Sequence, residues 1–191
     1  GLSGLEWAVG VPGTIGGAVV GNAGAHGRDV AADLRSATVL TGDNEVVEWP
    51  KADLQFGYRS SRIKAEIRQQ KPATVVLAAT FQLTPGDPAE LEKKAAEYNE
   101  YRRRTQPPGA SLGSMFKNPP GDAAGRLIDR CGLKGTRVGD AEISTVHANF
   151  FVNRGRARAA DVKALIDLAR ARVYEHFGIE LELEIELVGA W

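Results

Sequence analysis

Seven of the eighteen residues in GVPGTIGGAVVGNAGAHG, residues 10 to 27, are glycine, and His26 is their single ionisable group. Such a run presents backbone N–H groups without side-chain cover, which suits direct amide donation to a phosphate or pyrophosphate. Tight turns and close packing use glycine equally well, so composition leaves both readings open. Two nucleotide loops are excluded. The run lacks the Gly-Lys-Ser/Thr ending of a triphosphate loop, and its G-x-x-G-x-x-G-G spacing is not the dinucleotide fingerprint. Near the other end, IELELEIEL, residues 179 to 187, offers Glu180, Glu182, Glu184 and Glu186 at intervals of about 7 Å on one face of a strand. Periodicity does not choose among them, and a solvated face that discourages aggregation is the plain alternative to acid–base chemistry. Arg102, Arg103 and Arg104 fall on the last turn of a helix, where cations complement the carbonyl end as readily as they bind an anion. Cys131, the only cysteine, excludes an internal disulfide or a multi-thiolate metal site and reads as a small buried apolar group. His26, His147 and His176 show no metal spacing, so no metal is expected.

The elements that would position these groups are legible in the pattern. SATVL and EVVEW, residues 36 to 40 and 45 to 49, flank TGDN and predict a hairpin. ATVVLAATFQL, residues 73 to 83, predicts a buried strand stopped by TPGDP. Residues 88 to 104 take helical spacing, with Asp87 as cap and Pro88 in the first turn. TQPPGASLGS, without periodicity, reads as a linker and marks a domain boundary. Beyond it, DAAGRLIDRCG predicts a short helix with Leu127 and Ile128 inward and Gly132 as its stop. NFFVN predicts a strand, and residues 161 to 177 predict a longer helix ending at Gly178. Residues 179 to 187 alternate as a half-buried strand. The expected fold class is α+β in two parts, residues 1–105 and 106–191.

The 191 residues suffice for one sizeable core or two small domains, burying about 70% of the unfolded surface. Twenty-four basic residues balance twenty-four acidic ones, so no net field favours nucleic acid or an anionic membrane. No apolar run approaches the roughly 20 residues that span a bilayer. A single cysteine suits a reducing compartment, and the chain reads as cytoplasmic. Its start, GLSGLEWAVG without methionine, reads as part of something longer.

PGTIGGA followed by GNAGAHG resembles the second flavin-contacting segment of vanillyl-alcohol-oxidase-type flavoproteins. FGYRSSRIK, GSMFKNP, GLKGTRVGDAEISTVHANFFVN and FGIELELEI narrow the resemblance to the UDP-N-acetylenolpyruvoylglucosamine reductase family, in order and across nearly the whole chain. The resemblance implies FAD as cofactor, NADPH as hydride donor and UDP-N-acetylglucosamine enolpyruvate as substrate, reduced to UDP-N-acetylmuramate in peptidoglycan precursor synthesis. It implies flavin contacts from Pro12, Gly13, Thr14, Ile15, Gly16, Gly17, Asn22, Gly24 and Ala25. Arg59 would stabilise the developing enolate, Ser114 would protonate it, and Glu184, the second glutamate of the family pattern, would assist. Tyr58, Lys117, Asn118 and Lys134 would contact the substrate. Nothing intervenes between residues 73–83 and GSMFKNP to carry a capping tyrosine loop, so the chain resembles the shorter subtype. Glu142 stands where glutamine is frequent in the family, which puts a neutral amide contact there in question. A first flavin-binding lobe is expected ahead of Gly1. A flavin oxidase of the wider superfamily and a non-catalytic UDP-sugar-binding module are the alternatives. Oligomeric state is not legible.

Overall fold

A computed structural model describes residues 1–70 and 74–189, in two compact units, Gly1–Tyr101 and Arg102–Trp191. In chain order the first unit holds β1 (Leu2–Ser3), α1 (Ile15–Gly21), β2 (Gly24–Ala25), β3 (Arg28–Asp29), α2 (Val30–Asp33), β4 (Leu34–Leu40), β5 (Val46–Pro50), α3 (Arg62–Arg68), β6 (Val75–Phe81) and β7 (Thr84–Pro85). The unit boundary falls inside α4 (Pro88–Thr105). The second unit continues with β8 (Ala110–Ser114), α5 (Ala124–Arg130), β9 (Arg137–Val138), β10 (Ala141–Ile143), β11 (Phe150–Asn153) and α6 (Ala159–Phe177).

The hairpin expected around TGDN forms as antiparallel β4 and β5, closed by the Thr41 N–H donating to the Glu45 carbonyl at 2.9 Å. β6 joins the other side of β4, giving a three-stranded antiparallel sheet in the order β5-β4-β6. The expectation of a buried strand is corrected here. β6 is an edge strand, and Val75 and Leu77 are 48% and 52% exposed, while only Val76, Ala79 and Phe81 pack on the core. A continuous apolar run cannot distinguish a strand covered on both faces from one covered on a single face. Ala73, included in that expected strand, lies outside the described residues. The core of this unit gathers Trp7, Val19, Val30, Leu34, Ala37, Val39, Leu54 and Ile63.

In the second unit, β8-β11-β10-β9 form an antiparallel sheet in that order. β8 arises within the stretch read as a linker, because cross-strand pairing with β11 supplies order that local pattern does not show. α6 forms as expected. The Asp161 carboxylate accepts from the Arg158 N–H at 2.9 Å to start it, and Gly178, at φ 67°, ends it. Its stripe of Leu165, Ile166, Ala169 and Val173 is fully buried, and burying each larger side chain contributes about 1.5–3 kcal/mol. α5 buries Leu127 and Ile128 against the same core.

Residues 179 to 187 do not form the expected strand. A single bridge, Leu183 to Phe116, is their only regular pairing among the described residues. The alternation nevertheless reports burial: Leu181 is 1% exposed, and Ile179, Leu183, Ile185 and Leu187 pack on the same core. Period-two hydrophobicity fixes which side chains turn inward, while a strand also needs a partner along its length.

Candidate active site

The glycine-rich run is a helix entered through a cap. Thr14 Oγ1 accepts from the Gly17 N–H at 3.1 Å, which fixes the first turn of α1. Pro12, Gly13, Thr14, Ile15 and Gly17 are exposed, and Ile15 is 56% exposed. Two kinds of glycine separate here. A Cβ on Gly24 would lie 2.7 Å from the Arg28 carbonyl oxygen and 2.9 Å from Asp29 Cβ, so the chain's own packing requires glycine there. A Cβ on Gly17 would meet only Thr14 Oγ1, at 3.4 Å, and one on Gly21 would meet nothing within 4 Å. Neither has a positive φ. Glycine inside a helix costs about 1 kcal/mol relative to alanine, and among the described residues no neighbour crowds these two positions closely enough to account for that cost.

Asn22 ends α1 in the left-handed conformation, φ 44°, and is 2% exposed. Its Nδ2 donates to Asp29 Oδ2 at 3.0 Å and to the Gly57 carbonyl at 2.9 Å, and its Oδ1 accepts from the Ala31 N–H at 3.0 Å. The side chain expected to meet a cofactor is thus engaged with protein, tying the glycine run to the FGYRSS segment. Two further bonds make the same connection. Ser61 Oγ donates to the Val20 carbonyl at 2.7 Å, and Arg59 NH2 donates to the Gly24 carbonyl at 2.9 Å. Arg59 itself has φ 52°, in a turn closed by paired hydrogen bonds between Gly57 and Ser60. Holding a side-chain-bearing residue there costs of order 1–3 kcal/mol, which the surrounding hydrogen bonds must offset. Tyr58, 54% exposed, has the Arg59 guanidinium carbon 5.3 Å from its ring centroid. Ala25 pairs with Arg28 in the β2–β3 hairpin. His26, to which the sequence assigned no role, stacks on Tyr98 of α4 with centroids 3.9 Å apart.

Ser114 ends β8 opposite Phe150 and follows Gly113, whose φ is +78°. The next two residues are clamped by Asn149, which is 3% exposed. Its Oδ1 accepts from the Phe116 N–H at 2.9 Å, its Nδ2 donates to the Phe116 carbonyl at 2.7 Å, and its own carbonyl accepts from the Met115 N–H at 2.8 Å. On the other edge the Glu184 N–H donates to the Met115 carbonyl at 3.0 Å, and the Lys117 N–H to the Glu182 carbonyl at 2.8 Å. Ser114, Lys117 and Glu184 are therefore brought onto adjoining segments of one unit. Burial also separates the four glutamates: Glu180, Glu182 and Glu186 are exposed, whereas Glu184 is half-buried.

Asn118 Oδ1 accepts from the Ala124 N–H at 3.0 Å and so opens α5. Lys134 pairs with Asp129 at 2.8 Å. His147 Nδ1 accepts from the Asn149 N–H at 3.2 Å, which leaves the proton of the neutral ring on Nε2, and burial holds its pKa below the ordinary value. Glu142, 4% exposed on β10, lies between two arginines. Oε1 accepts from Arg154 at 2.6 Å and Oε2 from Arg137. The Arg154 hydrogen bond, reinforced by Arg137, holds this carboxyl below its usual range. Both carboxylate oxygens are thereby engaged by guanidinium groups. Among the described residues, no group of three or more His, Cys, Asp or Glu could hold a metal ion, and no helix is long and apolar enough to cross a membrane.

Asn149 was missed by sequence reasoning, and Glu182 was not told apart from the other three glutamates. Their only signals were a polar residue set before the apolar FFV and a first glutamate indistinguishable from its neighbours.

The second unit matches a reductase domain: the family model for the "UDP-N-acetylenolpyruvoylglucosamine reductase, C-terminal domain" covers residues 105–188. The relatives make the assignment particular. The chain is 52% identical over 188 residues to UDP-N-acetylenolpyruvoylglucosamine reductase of Chloroflexus aurantiacus, covering 98% of this chain and 63% of that protein. It is 48% identical to the enzyme of Rubrobacter xylanophilus, covering 99% and 62%. The crystal structure of the Thermus caldophilus enzyme superposes with a TM-score of 0.84 at 42% identity, covering 97% and 64%. The chain is a homologue of the UDP-N-acetylenolpyruvoylglucosamine reductases and spans less than two thirds of the length of these relatives.

Proposed function

We propose that this chain takes part in reducing the enolpyruvyl group of UDP-N-acetylglucosamine enolpyruvate to the lactyl ether of UDP-N-acetylmuramate, a step of peptidoglycan precursor synthesis in the cytoplasm. FAD would relay hydride from NADPH to the terminal carbon of the enolpyruvyl group.

The observation that carries the reading is the bare face of α1. Among the described residues nothing crowds a Cβ at Gly17 or Gly21, which fits close approach by another group, and the exposed cap at residues 12–15 fits an anionic one. Pro12, Gly13, Thr14, Ile15, Gly16, Gly17, Gly24 and Ala25 would line the flavin diphosphate. Asn22 would act through the backbone shape its three hydrogen bonds enforce rather than by contact of its side chain.

Each remaining residue has a chemical task. Arg59 is anchored by its bond to the Gly24 carbonyl, and a guanidinium held by its own turn suits charge accumulating on the substrate carboxylate. Ser114 would give its hydroxyl proton to the carbon that does not receive hydride. Glu184, half-buried and tied by its backbone to the residue after Ser114, would assist that proton transfer. Lys117, Asn118 and Lys134 would contact the diphosphate and sugar, and Tyr58 would pack on flavin or substrate.

Flavin-loaded protein is expected to turn over NADPH repeatedly only when the enolpyruvyl sugar is present to reoxidise the flavin. Oxygen-dependent turnover of an alcohol would favour a flavin oxidase instead, and nucleotide-sugar binding without flavin uptake would favour a binding module.

A further inference from the structure

Lys117 and Glu182 are joined twice. Their main chains share the 2.8 Å hydrogen bond from the Lys117 N–H to the Glu182 carbonyl, and Lys117 Nζ lies 2.6 Å from Glu182 Oε1. The two side chains are unequal in their surroundings: that of Lys117 is 11% exposed and that of Glu182 56% exposed. A pair with one partner so open to solvent adds little to stability, because water and salt screen it. Its effect on the lysine is larger. A four-carbon side chain otherwise samples many rotamers, and fixing it at the moment of binding opposes affinity. Held by the carboxylate, the ammonium keeps two of its three N–H donors for another acceptor.

We propose that Glu182 is a positioning residue that holds the Lys117 ammonium in place for an anionic ligand group. The inference rests on the function proposed above, in which that group is the diphosphate of a UDP-sugar. Glu182 also carries a negative charge that repels such a ligand. Being more than half exposed, that charge is screened, whereas the ordering of Lys117 acts at the contact itself. Pre-organisation therefore outweighs repulsion. The first glutamate of LELEI thus has a task distinct from that of Glu184: it acts through Lys117, and Glu184 acts on the proton.

The test is titration of the 191-residue chain with UDP-N-acetylglucosamine, followed by calorimetry, for the wild type, Glu182→Ala, Glu182→Gln, Lys117→Gln and the Lys117→Gln/Glu182→Ala double variant. Ordering one long side chain predicts roughly twofold to tenfold weaker binding for Glu182→Ala. Glu182→Gln, which keeps an acceptor, should recover part of that loss. In the Lys117→Gln background Glu182→Ala should have no further effect, and NMR of the Lys117 side-chain methylenes should show greater mobility in Glu182→Ala with backbone shifts elsewhere preserved. Unchanged or tighter binding by Glu182→Ala, with Lys117→Gln still weakened, overturns the positioning role and leaves the ligand role of Lys117 intact. Unchanged binding by Lys117→Gln overturns that ligand role itself.

Discussion

Replacing Asn149 by alanine removes the clamp behind Ser114. Phe116 is 0% exposed, and its N–H and carbonyl are bonded to Asn149 at 2.9 Å and 2.7 Å. Truncation leaves both groups buried with no side-chain partner. Each unsatisfied group costs about 1–3 kcal/mol, so the variant should lose about 2–6 kcal/mol, a large part of the stability of a domain this size. Asn149→Asp should fare no better, since it keeps an acceptor for the Phe116 N–H but sets a second acceptor, now charged, against the Phe116 carbonyl. Asn153→Ala is the control. Asn153 is exposed, and its Oδ1 accepts from the Gly155 and Ala157 N–H groups at 2.9 Å and 3.0 Å, where water can substitute; about 1 kcal/mol or less is expected. Because the chain has two units, denaturant unfolding should be followed together with amide exchange at Phe116 and Phe151, which report the second unit. A loss below about 1 kcal/mol for Asn149→Ala, or undiminished protection at Phe116, would refute the claim that this side chain holds the segment.

The two kinds of glycine predict opposite outcomes. Gly17→Ala should raise stability by up to about 1 kcal/mol while weakening flavin retention measured by visible absorbance, whereas Gly24→Ala should destabilise through its clash with the Arg28 carbonyl; a destabilised Gly17→Ala would remove the argument for an external group. Acid sensitivity follows from two carboxylates. Hydrogen bonds from the backbone amides of Glu6 itself and Gly4, and from the Ser3 hydroxyl, hold Glu6 at about 2 against an ordinary 4.5, and Glu142 is also held low, first by Arg154. The unfolded chain binds more protons in that range, so this stability is full above the ordinary carboxylate pKa and is lost as pH falls through the folded value. Glu6→Gln should flatten the acid limb of a stability–pH profile between about pH 4.5 and about 2, and an unchanged limb would contradict the assignment.

The legible parts of this protein are those set by local pattern. α6, α5 and the β4–β5 hairpin carry their caps, turns and apolar spacing within a few residues of themselves. What was not legible depends on distant partners. The Asn149 clamp on Phe116 spans 33 residues, and the Asn22 bond to Gly57 spans 35. Each is a side chain satisfying backbone groups far along the chain, which neither composition nor periodicity records. The failure at residues 179 to 187 is of the same kind: alternation gave the buried face correctly, while among the described residues the pairing is limited to the Leu183–Phe116 bridge, too little for a strand. Glu184 shows the converse. Four glutamates equal in pattern became unequal once folding left one of them half-buried.

In the proposed reaction Ser114 delivers the proton in the step that consumes the substrate. Stopped-flow absorbance of the flavin in flavin-loaded protein, wild type against Ser114→Ala, separates the two half-reactions. Reduction by NADPH should be unchanged and reoxidation by the enolpyruvyl sugar roughly 10²–10⁴-fold slower, the usual contribution of a positioned proton donor. Equal loss in both half-reactions, or reoxidation at the wild-type rate, would contradict it.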